Sequence, residues 1–139
     1  MAGVGVGMRT SGAATGPVGS GLQWGAVAAG VVATFSASVG AAAILAAVVY
    51  WTSATEQAAG AVLFALGLAS LAAGAGYAAR RAGTLGWAHG VAVGVAYSAL
   101  SLGLQPLWFP GSLGWGGAVS RLLMGAVAGA LGGVIGVNL

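Results

Sequence analysis

Polar residues are so sparse along this chain that the gaps between charges mark out its elements. No charge falls between Arg9 and Glu56, and Gln23 to Thr52 is continuously apolar with no turn signal inside it. A membrane-crossing helix needs about 20 mostly apolar residues, so the stretch predicts one long span over 23–52. Gln57 to Ala79 supplies a second, over 57–79. After Ala82 the apolar run is broken by "QPLWFPGSLGWGG", where Pro106 and Pro110 are expected to stop a helix. That leaves a third span over about 87–104 and a fourth over about 116–137. Residues 1–21 hold one arginine, Pro17 and many small residues with no sustained apolar core, and read as a flexible cytoplasmic tail. The expected fold is all-α, a compact bundle of four transmembrane helices within residues 22–139.

Composition sharpens the class. Charged residues make up 4% of the chain, against roughly 25% in soluble domains. Hydrophobic residues reach 59% and the mean hydropathy is +1.00. A soluble domain so apolar would expose large patches and associate without limit, so lipid must be the solvent. The pI near 10.3 rests on four arginines and one glutamate. A nucleic-acid footprint needs many clustered cations, and that partner is excluded. The chain has no cysteine, which removes disulfides and thiolate chemistry from consideration.

Orientation follows from the basic residues. Four spans put the N-terminus, the 80–86 loop and the C-terminus on one side, with Arg9, Arg80 and Arg81. Glu56 and Arg121 fall on the other side and cancel. The positive-inside rule then places both termini in the cytoplasm of a bacterial plasma membrane. Aromatic belts agree: Trp24, Tyr77 and Trp87 fall at the inner ends, and Tyr50, Trp51, Trp108 and Trp115 at the outer ends. Arg80 and Arg81, with Trp87 and His89 after them, most simply fix topology and meet anionic head groups. The sharper reading has the arginine pair docking a cytoplasmic partner or a phosphate.

Glycine occurs 28 times, and its spacing predicts packing faces. Gly125, Gly129 and Gly133 recur every fourth residue in the fourth span, and Gly86, Gly90 and Gly94 do so in the third. Without side chains, neighbouring backbones approach closely and gain contacts that lipid does not match. A looser stripe is expected at Gly60, Gly67, Ser70 and Gly74, and another at Gly30, Thr34 and Ser38. Such faces either close one bundle or join several copies of it.

Reactive chemistry has little to draw on. Acid–base work needs paired titratable groups, and this chain holds one glutamate and one histidine on opposite sides of the membrane. They lie about 30 Å apart, so no catalytic residue, metal site or cofactor is expected, and the protein reads as a non-enzyme. His89 is expected to bond a loop carbonyl or water, with a proton-sensitive switch as the alternative. Arg121 precedes Gly125 by four, Glu56 precedes Gly60 by four, and both lie on the outer side. They are expected to form an ion pair between the second and fourth spans, or else to reach head groups separately. Tyr97 lies about 15 Å beyond Trp87 on the face of Ser101. It needs a mid-membrane partner, with Thr34, Ser36 and Ser38 as candidates.

Two stretches, "RRAGTLGWAHG" at 80–90 and "GALGGVIGVNL" at 129–139, resemble an uncharacterised family of small four-helix membrane proteins of Gram-positive bacteria. The likeness spans about residues 22 to 139 and marks Arg80, Arg81, Gly83, Gly86, Trp87, His89 and Gly90 as signature positions. Gly132, Gly133, Gly136 and Asn138 join them. Ala79 departs from the glycine expected before the arginines. The resemblance implies location and architecture without an activity. The leading functional expectation is a structural or accessory subunit of a cytoplasmic-membrane complex. Its partners would be membrane lipids and another membrane protein or a second copy of itself. The alternative is a small oligomeric channel or transporter for a neutral or weakly polar solute.

Overall fold

A computed structural model describes residues 21–52, 55–108, 111 and 114–139, the side chains of Glu56 and Trp108 excepted. The expected tail therefore lies outside the described residues up to position 20. The chain forms four helices: α1 (Trp24–Trp51), α2 (Glu56–Ala82), α3 (Gly86–Trp108) and α4 (Trp115–Asn138). Each is long and apolar enough to cross a membrane, and the protein is a multi-pass membrane protein.

Helix limits follow local chemistry. Thr55 caps α2 by accepting the Ala58 N–H through its side chain, and Gly83 ends that helix in the left-handed conformation only glycine adopts freely (φ 69°). α3 corrects the expected stop, because it runs through Pro106 to Trp108. Proline's fixed φ is itself helical, and in the last turn it forfeits a single backbone bond, so the helix continues past it. The remaining termini shift by up to three residues from the sequence-based limits.

The helices pack as a rhombus in cross-section. α2 and α3 form the short diagonal, each touching all other helices, while α1 and α4 do not touch among the described residues. The α3–α4 seam is the most extensive. Gly86, Gly90 and Gly94 lie against Gly133, Gly129 and Gly125 in antiparallel register, and a Cβ on Gly90 would overlap the Gly129 carbonyl. α2 meets α4 through Gly76 against Gly132 and Gly136. It meets α1 through Gly74 against Gly30 and Thr34, whose hydroxyl turns back to donate to the Gly30 carbonyl at 2.9 Å.

This close packing is confined to one half of the bundle. In α1 the buried residues are Ala26, Val27, Gly30 and Thr34, all in its first eleven positions. In α2 burial begins at Ser70, and the core of Val27, Leu71, Ala75, Ala78 and Val93 lies towards the α2–α3 turn. The expected contact positions Gly60 and Gly67 have nothing within 4 Å of an added Cβ. They share the helical spacing of Gly74, but α2 has diverged from its neighbours by the time it reaches them. The bundle is closed at one end and splayed at the other.

Gly90 and Gly103 separate packing from propensity within one helix. Gly90→Ala should lower unfolding free energy by about 1–3 kcal/mol through backbone overlap. Gly103, with no neighbour within 4 Å, should accept alanine with no loss. Denaturant titration in detergent micelles reads both, and equal effects would remove the glycine seam as the source of cohesion.

Candidate functional site

The closed end is built by the stretch that concentrates the chain's charge. Gly83, Thr84 and Leu85 make the turn from α2 to α3, and Leu85 sits in the left-handed region (φ 51°), where a bulky residue is strained. Its carbonyl collects the Ala88 and His89 backbone N–H groups and, at 3.1 Å, the His89 ring nitrogen Nδ1. His89 is 0% exposed. Its other ring nitrogen, Nε2, accepts the Gln23 backbone N–H at 2.9 Å. A carbonyl only accepts and an amide N–H only donates, so the ring is the Nδ1–H tautomer.

Gln23 and Arg80 extend this into a clasp. The Gln23 side-chain amide donates to the Ala82 carbonyl at 3.2 Å, and Arg80 Nε donates to the Gly136 carbonyl at 3.0 Å. The contacts tie α3 to α1, α1 to α2 and α2 to α4, in each case at a helix end that leaves backbone groups unpaired. His89 thus meets the expected loop carbonyl and also an α1 amide. Arg81 and Trp87 stay exposed on the membrane-facing rim. Nothing in the sequence singled out Gln23. The one available signal was its place as the last polar residue before the first apolar run.

The splayed end holds the polar crevice. A cavity of about 280 Å³ opens between α2, α3 and α4, with Tyr97, Ser98, Ser101 and Arg121 among its lining and Phe64, Leu68 and Met124 as apolar walls. A second opening of about 300 Å³ lies on the other side of Tyr97, bordered by Ser38, Phe35 and Leu66. The Tyr97 and Ser38 hydroxyls bond at 3.2 Å, which selects one of the three expected partners. Phe35 meets the Tyr97 ring edge-on with centroids 5.0 Å apart.

Arg121 departs from expectation. It is exposed rather than directed into the glycine seam, and its NH1 donates to the Gln105 side-chain oxygen on α3 at 2.7 Å. Successive helical residues turn by about 100°, and Arg121 lines the crevice where α4 has parted from α2. The expected Glu56–Arg121 ion pair lies outside the described residues on its Glu56 side. Gln105 is the functional candidate that sequence reasoning missed. It stands in the segment read as a helix-ending loop, so its facing of Arg121 was invisible.

The crevice places one cation, two serine hydroxyls and a tyrosine on apolar walls within the membrane. That set can orient and hold a polar or anionic group.

Two hydrogen-bonding tests follow. His89→Phe keeps bulk but leaves the Gln23 amide and the Leu85 carbonyl without their ring partner, and should cost about 1–3 kcal/mol of stability. Tyr97→Phe and Ser38→Ala should each cost about 0.6 kcal/mol, the average for membrane hydrogen bonds. The double variant should cost no more than either alone. Additive losses in a double-mutant cycle would mean that the two hydroxyls act separately.

No curated relative and no solved structure matches the chain. A family model described as "Protein of unknown function (DUF3792)" matches residues 23–136. That match takes in all of α1, α2 and α3 and nearly all of α4, together with the clasp and the crevice. The chain therefore belongs to the DUF3792 family.

Proposed function

We propose that this protein is a non-enzymatic accessory subunit of a bacterial cytoplasmic-membrane complex, with both termini in the cytoplasm. The observation that carries the reading is the contrast between the two ends. At the closed end Ala75, Ala78, Ala79, Val93 and His89 are fully buried and glycine contacts bring the backbones together, which supports a helper without a water-filled path of its own. At the splayed end α2, α3 and α4 leave a crevice open sideways to the membrane, with Arg121 on its wall. A cation at that depth is costly in lipid alone, and Gln105 meets only one of its nitrogens, NH1. A partner helix carrying a carboxylate or an amide fits that demand.

The inventory supports the absence of catalysis. The one histidine has both ring nitrogens engaged within the fold, and the one glutamate belongs to the opposite end of α2. The orientation rests on the arginines: Arg80 and Arg81 at the closed end, with Arg9 ahead of α1 in the sequence, against Arg121 at the splayed end.

Native purification in mild detergent with mass spectrometry of stoichiometric companions tests the subunit reading. A different membrane protein at fixed ratio, lost from the Arg121→Ala variant, is the expected result. A homo-oligomer with no companion would overturn it and point to the channel alternative. The chain's lack of cysteine allows single-cysteine labelling to test orientation. Thr84→Cys should react from the cytoplasmic side and Gly111→Cys from the outside. The reverse pattern would invert the topology.

A further inference from the structure

A different groove runs down the opposite, closed half of the molecule. α2 and α4 meet there through glycine and alanine, so the seam between them is shallow-floored and opens sideways as a cavity of about 410 Å³. Ala73, Gly76 and Gly132 line its length, Tyr77 and Ile135 flank it, and Arg80 lies at its polar end. Along α2 the groove extends from Ala72 to Arg80, about 12 Å at 1.5 Å per residue. Its apolar length and cationic mouth have the two-part character of a phospholipid, an acyl chain below a charged head.

The arginine is prepared for an anion. Its Nε is held by the Gly136 carbonyl at 3.0 Å, which fixes the plane of the guanidinium. The two terminal nitrogens, the pair that grips phosphate in a fork, have no partner among the described residues. The chain's only acidic side chain does not reach them, because Glu56 opens α2 and Arg80 lies 24 residues further along it, about 36 Å away. Arg81 adds a second exposed positive charge beside the mouth. Tyr77 and Trp87 are exposed near the same ends of α2 and α3, and amphipathic rings favour the head-group region.

We infer that the α2–α4 groove is a binding site for an anionic diacyl phospholipid. One acyl chain lies over Gly76 and Gly132, and the phosphate is held by the terminal nitrogens of Arg80. The Arg80–Gly136 bond links occupancy to the end of α4, since the guanidinium that meets the phosphate also caps that helix.

The test uses the full chain in mild detergent, with native mass spectrometry of retained lipid after exposure to phosphatidylglycerol or to phosphatidylcholine of the same acyl chains. The expected result is one retained phosphatidylglycerol, with phosphatidylcholine held about ten-fold less. Arg80→Gln should lower phosphatidylglycerol retention by a similar factor. Because that change also removes a helix cap, Ala73→Phe provides the independent variant. It fills the groove from an exposed position, leaves the Arg80–Gly136 bond in place, and should lower retention equally. Arg81→Gln should change retention less than two-fold, roughly, as a more distant charge. Leu139 also lines the groove, and a short Gly-Ser extension after it should leave retention intact. Equal retention of the two lipids would overturn the site, as would a groove-filling variant that binds normally. Displacement of the lipid by millimolar inorganic phosphate would overturn it too, by showing that the mouth recognises a free anion.

Discussion

Hydrocarbon offers no hydrogen bonds, and the arrangement of this bundle depends on that fact. A helix pairs its own backbone except at its ends, where orphan N–H and C=O groups must be paired by something else. Here the ends that gather around the α2–α3 turn are paired by each other's side chains: His89 takes the amide at the start of α1, Gln23 takes the last carbonyl of α2, and Arg80 takes a carbonyl in the final turn of α4. Four chain segments thereby acquire one fixed geometry from three side chains. The strain at Leu85 (φ 51°) belongs to the same device, because its carbonyl is aimed at the ring that secures α1.

Glycine makes this geometry possible. For a side chain on one helix to reach the end group of another, the axes must come close, and any Cβ at Gly86, Gly90 or Gly94 would collide with α4. Close approach raises dispersion contact and weakens the case for water. The same chemistry explains why order fades along the bundle. Where glycine seams end, the helices present Val39, Ile44, Val62 and Leu63, which are exposed to the membrane, and gaps open between them. The two ends are made of different residues.

Much of the architecture was legible because a membrane reduces the problem to length and charge. Four apolar runs became four helices, the glycine repeats of α3 and α4 faced each other, and a mid-membrane tyrosine required a hydroxyl that Ser38 supplies. The errors have a common cause: each concerns where a helix lies relative to its neighbours rather than whether it exists. Gly60 and Gly67 continue a spacing that Gly74 uses, but spacing does not reveal divergence. Pro106 was read as a barrier, although a proline in a final turn removes one bond and leaves the helical φ intact. That misreading hid Gln105, and with it the α3 partner of Arg121. The clasp was half visible. His89 and the arginines stood out as rare residues, while the dependence of α1 on Gln23 needed three dimensions.

The concentration of charge at residues 80–89 thus resolves into structure first and surface second. Arg80 closes α4 with its Nε, and its two terminal nitrogens have no partner among the described residues. Arg81, one residue on, is turned to the exterior. A protein built this way gains little from moving its closed end, since separating α3 from α4 would break the glycine seam and the clasp together. Any adaptable contact must fall to the splayed half, where Arg121, Ser98 and Ser101 line an opening and the surrounding helices hold one another less tightly. Rigidity at one membrane face and accessibility towards the other form the contrast on which the proposed partner contact rests.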